Sequence, residues 1–257
     1  MRVTTRTPTV AMLYPGHAAE DDYPLAESAL GGAVRLPVVI TDIESDDHTV
    51  DAMRAVGTGP RLHDGARAAS RHDPDALMWA CTSGSFLYGW AGAHAQVARI
   101  SEAVGLPVSS TSLAFAAACR ELQITSVAIA ATYPAAVADG FATFLADAGI
   151  TVVSAAAHDI ETATEAGSVD GDNLFEMVRS VDTPNAEAVL VPDTALHTIG
   201  WLDDLERDIA KPVLTANQVT VWEALRLVDR PLVVDGFGKL FGDNRITART
   251  GSPYPPR

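Results

Sequence analysis

Cys81 opens a polar turn, Cys81-Thr82-Ser83-Gly84-Ser85, directly after the apolar run 76–80. A thiol at the start of a helix has its pKa lowered and becomes a better nucleophile. Thr82, Ser83 and the backbone N–H groups around Gly84 could cradle an oxyanion or a carboxylate. The alternative is a core cysteine that ends a buried strand. Asp193, followed by Thr194 and Ala195, stands at the end of a similar run. It is either a helix N-cap, accepting bonds from the first helical N–H groups, or an acid that exchanges a proton with a ligand. His197, four residues on, would share a helical face with Asp193, or is a surface histidine of the first turn.

Two tyrosines sit before prolines, Tyr14–Pro15 and Tyr133–Pro134. A phenol there can hold a carboxylate or relay a proton; it can equally plug a junction. Pro15 and His17, in the loop "YPGHAAEDDYP", are further candidate ligand contacts, as are Thr82, Ser83, Thr194 and Ala195. Cys119 differs: with Phe115 and Leu122 it forms an apolar helical stripe, which marks a core residue.

Short β-rich runs alternate with alanine-rich helical stretches, the pattern of a mostly parallel sheet built from βα units. Strands are expected at 9–15, 33–40, 76–82 and 107–111, then at 126–134, 150–158, 187–194 and 212–217. Helices are expected at 91–104, 114–122, 135–148, 171–180 and 220–227. Gly105 and Gly149, just before strands, fit helix C-caps.

The two series resemble each other. "TVAMLYP" and "SVAIAATYP" both end in Tyr-Pro, and "ALMWACT" aligns with "AVLVPDT", so Cys81 falls opposite Asp193. "PVSSTSLAFAAACREL" and "PVLTANQVTVWEALRL" share Pro-Val, a small polar segment and an apolar helix. Three matches in one order indicate an internal repeat. Two α/β lobes are therefore expected, residues 1–113 with 219–257 and residues 114–218, with strand ends facing a common cleft. Residues 228–257, including "PLVVDGFGKLFG" and a proline-rich tail, are expected to pack back on the first lobe.

Composition narrows the function. The 257 residues are 47% hydrophobic and 20% charged, with a net charge of −15. That charge argues against nucleic acid, which needs a basic surface. No run approaches the roughly 18 apolar residues of a membrane span. The N-terminus lacks the apolar region of a secretory signal, so the cytoplasm is the expected location. Two cysteines without paired spacing do not form a disulfide framework. "DGFGKLFG" is no dinucleotide fingerprint, Ser83 and Ser85 lie in no G-x-S-x-G elbow, and the histidines show no metal-ligand spacing. Neither a metal nor a bound nucleotide is expected from these motifs.

"ACTSGSF" (80–86), "VAIAATYP" with Tyr133, "PVLTANQVTVWEALRL" and the closing "GFGKLF" resemble, in order, the aspartate/glutamate racemase superfamily. Within it, the maleate cis-trans isomerase and arylmalonate decarboxylase branch is most similar. The resemblance implies two Rossmann-like lobes with parallel sheets related by a pseudo-dyad, an active site in the cleft, and no cofactor. It implies catalysis by cysteine at one or both equivalent strand ends. Racemases of this superfamily use both thiols; the decarboxylase keeps only the second-lobe one, with glycine at the first. This chain has Cys81 at the first position and Asp193 at the second. The nearest match to a loop asparagine of the isomerases is Thr162.

The leading expectation is a cofactor-independent isomerase of a small unsaturated dicarboxylate. Cys81 would add to the alkene, Tyr133 would orient a carboxylate, and Asp193 would manage a proton or cap its helix. The alternatives are a decarboxylase or racemase-like enzyme with Cys81 as its single acid/base, and a non-catalytic carboxylate-binding protein. A small carboxylate is the expected partner, with a homo-oligomer possible.

Overall fold

All eight runs read as strands form strands, and they divide evenly between two sheets. The computed structural model of the chain describes residues 6–242. Its first half runs β1 (Val10–Pro15), α1 (Asp22–Ala29), β2 (Val38–Thr41), α2 (Val50–Val56) and α3 (Gly59–Ala69). It continues with β3 (Ala76–Trp79), α4 (Ser83–Phe86), α5 (Gly89–Val104), β4 (Val108–Ser110) and α6 (Thr111–Glu121). The second half runs β5 (Ser126–Ala131), α7 (Ala135–Asp147), β6 (Thr151–Ala157), α8 (Ala163–Gly167) and α9 (Gly171–Val181). It ends with β7 (Ala188–Val191), α10 (Leu202–Ile209), β8 (Val213–Thr215) and α11 (Ala216–Leu227).

One sheet has the order β2-β1-β3-β4 and the other β6-β5-β7-β8, so the same four-strand arrangement occurs twice. Every ladder is parallel. The central strands β3 and β7 are buried along their whole length, as the unbroken apolar runs "ALMW" and "AVLV" require of strands covered on both sides. The edge strand β6 alternates exposed and half-buried positions instead. Gly105 and Gly149 take φ of +72° and +82° where a helix stops before a strand, a conformation that favours glycine.

α6 and α11 begin earlier than the sequence pattern indicated, at 111 and 216. The cause is the same in both. Ser110 caps α6 by accepting from Leu113 N at 3.4 Å, and Thr215 forms a capping box with Gln218, so each strand passes straight into its helix. The two helices pack together, joined by a 2.7 Å bond between the Thr111 and Thr220 hydroxyls. A single core cluster reaches across both sheets, taking in Met12 and Met78 from the first and Val127 and Ile129 from the second. At its centre Phe141 of α7 lies 5.3 Å, ring to ring, from both Phe86 and Phe115.

Gly238 N donates to Asp203 Oδ1 at 2.8 Å, Lys239 N to Glu206 Oε2 at 2.8 Å, and Gln218 Nε2 to Phe237 O at 2.7 Å. Residues 237–239 are thus tied to α10 by the Asp203 and Glu206 carboxylates and to α11 by the Gln218 amide. The proline-rich tail lies outside the described residues. Among those residues no helix is long and apolar enough to cross a membrane.

Candidate active site

Cys81 lies two residues past β3 and Asp193 two residues past β7, the third strands of their halves. Both line one pocket of about 50 Å³. Its lining includes the polar side chains of Cys81, Ser83, Asp193 and Thr194 and the apolar ones of Ile43, Ala52, Met53 and Val56. Sequence reasoning found the first four; the apolar four come from the β2–α2 loop and α2, which carried no motif. Among the described residues no three His, Cys, Asp or Glu side chains gather as a metal site.

Cys81 is only 4% exposed. Its Sγ accepts from Gly84 N at 3.3 Å and lies 3.9 Å from Ser83 Oγ. The expectation of a depressed pKa does not hold: burial pushes the thiol up to about 12, and the Asp193 charge adds to that. The Gly84 N–H and the Ser83 hydroxyl favour the thiolate but do not offset burial. Cys81 is therefore a protonated thiol at neutral pH.

The turn that carries Cys81 is fixed from behind. Gly84 O accepts from Trp79 Nε1 at 3.3 Å and from Gln96 Nε2 at 2.9 Å, and the same amide donates to Gly57 O at 2.9 Å. A Cβ on Gly57 would sit 2.0 Å from Gly84 O. Gly57→Ala must push this carbonyl, and with it the Gly84 N–H that holds the sulfur. The expected cost is about 1–3 kcal/mol of stability by overpacking. Activity should fall about 10²-fold, as misplacing a reacting group by an ångström can do. Thermal melts and kcat/KM on the purified variant check both.

Asp193 does not cap a helix. α10 starts only at Leu202, and Asp193 Oδ1 instead accepts from Ala195 N at 2.9 Å in a local turn. Its Oδ2 accepts from Thr132 Oγ1. Nor does His197 reach Asp193: it contacts Asp21 Oδ1 at 2.9 Å and Gly167 O at 3.1 Å. The loop after Asp193 is irregular because a buried network from the other half replaces helical bonds. Asp22 Oδ2 accepts from Thr198 N at 2.8 Å and Asn217 Nδ2 at 2.9 Å, while Asn217 also donates to Leu196 O at 3.0 Å. Thr194 O accepts from Tyr14 Oη at 3.0 Å. Burial raises the Asp22 pKa, and these donors pull against it. Asp22, Tyr14 and Asn217 thus position the Asp193 loop, Tyr14 from 180 and Asp22 from 176 residues away and Asn217 from 21.

Tyr133 is buried and its hydroxyl donates to Pro192 O, just before Asp193. Burial raises its pKa well above the usual tyrosine value. Thr82 Oγ1 is buried near that hydroxyl yet lacks a well-formed partner. Thr194, Ala195 and Pro15 line the pocket as well. Tyr133 and Thr82 are not themselves among the lining residues, and nor are His17 and Thr162. His17 is an exposed side chain paired with Glu20 Oε1 at 2.7 Å, beside a different surface hollow. Thr162 Oγ1 caps α8 by accepting from Glu165 N at 3.1 Å. Its backbone matters more: Thr162 bridges to Asp47 in the pocket lining. His48, Asp46 and Asp47 also line the pocket. They lie in a loop with no periodicity, and only the clustering of ionisable residues in "ESDDHT" could have marked them.

Two parallel sheets of one strand order, with a strand-end pocket between them, define a class of two-lobed α/β proteins. The chain belongs to the arylmalonate decarboxylase family, whose sequence profile matches residues 53–241. It is 26% identical over 254 residues to the arylmalonate decarboxylase of Bordetella bronchiseptica, covering 93% of this chain and 98% of that protein. It is 25% identical over 183 residues to the maleate isomerase of Nocardia farcinica, covering 68% and 72%. Among solved structures, an arylmalonate decarboxylase with glycine-to-cysteine and cysteine-to-serine changes matches with a TM-score of 0.80 and 26% identity. That match covers 91% of this chain and 99% of that one. The maleate isomerase of Pseudomonas putida S16 with maleate shares the fold, at a TM-score of 0.84, 19% identity, and coverage of 91% and 97%.

Proposed function

We propose that the protein is a cofactor-independent enzyme that decarboxylates a small malonate-type acid, with Cys81 as its single proton donor. The observation that carries this reading is the Cys81 thiol, buried at the end of β3 in the lining of a pocket that combines polar and apolar side chains, with burial pushing its pKa up. A substituted malonate suits that combination, its carboxylates meeting Ser83 and Thr194 and its substituent meeting Ile43, Met53 and Val56. The bond to one carboxylate breaks, carbon dioxide leaves, and the electron pair delocalises into the remaining carboxylate as an enediolate. Thr82 and Ser83 donate to that developing charge. Cys81 Sγ–H protonates the α-carbon, and solvent returns a proton to the thiolate. Tyr133, held to Pro192 O, keeps the Asp193 turn in register. The cysteine-for-glycine, serine-for-cysteine decarboxylase supports the reading. Those two changes would turn the decarboxylase arrangement implied by the resemblance into a single first-lobe thiol. The lobe boundary at 113/114, with α11 returning to the first lobe from residue 219, belongs to the same proposal. It is supported by the packing of α11 on β3 and β4.

A second reading, cis-trans isomerisation of maleate by addition of Cys81 to the alkene, is favoured by the maleate isomerases among the curated relatives. One set of assays separates the two. Methylmalonate and phenylmalonate in deuterated water should release carbon dioxide and gain one deuterium at the α-carbon. The contribution of Cys81 to kcat/KM should stay level from about pH 7 to 10, because a donor with a pKa near 12 remains loaded. A thiolate nucleophile would instead gain about tenfold per pH unit over that range. Conversion of maleate to fumarate with that slope, and inert malonates, would establish the isomerase. Carboxylate binding without any turnover would leave a binding protein.

A further inference from the structure

Two loops from different halves of the chain meet in the pocket lining, stitched through their backbones. His48 N donates to Glu161 O at 2.7 Å and Ala163 N to Asp46 O at 2.9 Å, beside the Asp47–Thr162 bridge. Set into this seam is the His48 side chain, 4% exposed and edge-on to the Tyr133 ring at 5.4 Å between centroids. Its Nδ1 lies 2.9 Å from Ile160 O. A carbonyl can only accept, so Nδ1 carries hydrogen and donates. Nε2 is then the one free polar atom of the ring. It makes no hydrogen bond among the described residues, although His48 lines the same pocket as Cys81 and Asp193.

The charge around the pocket makes that atom important. Asp46, Asp47 and Asp193 line it. No lysine or arginine is among the lining residues. An entering carboxylate meets like charge on several sides, and His48 is the only lining side chain that can carry a positive one. As imidazolium the ring keeps its bond to Ile160 O and presents Nε2–H to the ligand.

We infer that His48 Nε2 receives a substrate carboxylate and makes the pocket select a carboxylate over its uncharged amide. The inference rests on the reading of the pocket as a carboxylate site but not on any particular reaction. Two substitutions divide the functions of the ring. His48→Phe keeps the edge-on packing against Tyr133 and loses Nε2; His48→Gln restores an N–H donor without the ring.

Calorimetric binding of malonate and of its monoamide, malonamate, to the intact protein tests it without requiring turnover. The unsubstituted protein should prefer malonate by about 10- to 100-fold, the range of a charge-assisted hydrogen bond. In His48→Phe the preference should collapse to within about threefold, with the thermal melt little changed, and His48→Gln should recover part of it. For any malonate that is turned over, KM should rise by a similar factor while kcat moves little. Equal preference in the unsubstituted protein and His48→Phe overturns the inference, as does failure of malonate to bind the unsubstituted protein. Binding that depends on His48 in a protein that decarboxylates nothing would retain the inference and reject the proposed reaction.

Discussion

Cys81→Ser is expected to lower kcat/KM about 10³-fold on whichever malonate the unsubstituted protein decarboxylates, within the usual range for removing a general acid. Serine is close to isosteric and can still accept from Gly84 N, so the turn should keep its shape. What changes is the proton. An alcohol gives one up far less readily than even a thiol raised to about 12. Urea denaturation should register a change of only about 1 kcal/mol, which separates lost chemistry from lost fold. Cys119→Ala is the matched control. Cys119 is buried in α6 among apolar residues, so its loss should cost stability and leave the rate alone. If Cys81→Ser retains most of the activity, the thiol is not the proton donor.

The largest stability effect is expected at Phe141. Its ring is fully buried among Phe86, Phe115 and Phe144, where α7 meets α4 and α6. Phe141→Ala removes the shared wall of that cluster and should cost about 3–5 kcal/mol, because neighbours on three helices cannot all collapse into the space. For a chain of this size, that corresponds to a melting temperature lower by about 10 °C. Phe86 ends the turn that begins at Cys81 and also touches Tyr133, at 6.1 Å between centroids. Activity measured well below the melt should therefore fall too, though less than in Cys81→Ser. A variant that melts within a degree or two of the unsubstituted protein would show that the cluster is not the keystone of the core.

The fold was legible where physics is local. Runs such as "ALMWA" and "AVLVP" are buried on both sides, and their apolar continuity marks them as central parallel strands. Six helices escaped the reading, among them α4 of four residues and α8 of five. α1 holds Pro24 in its first turn, α2 spans only seven residues and α10 only eight, and α3 contains Gly59 and Gly65. Each is fixed by packing more than by its own propensity. The site was legible as a repeat. Matching "ALMWACT" with "AVLVPDT" placed Cys81 and Asp193 at equivalent strand ends. It could not supply the raised thiol pKa, because burial depends on Trp79 behind the turn and on the loops that line the pocket with it. It misjudged the segment after Asp193, where Asp22 satisfies N–H groups from across the chain and no helix forms. His48 was invisible for a related reason: its ring acquires meaning only from Ile160 O and Tyr133, more than eighty residues away.

The repeated strand order bears on the handedness of the product. Under the proposed decarboxylation, a flat enediolate held between the equivalent ends of β3 and β7 would present one side to each. A thiol at both could deliver hydrogen to either side and scramble the stereocentre. Here the sulfur stands on one side alone, while Asp193 opposite is engaged by Thr132 and Ala195. A prochiral acid would leave this pocket as a single enantiomer, its configuration dictated by which half of the chain kept the cysteine.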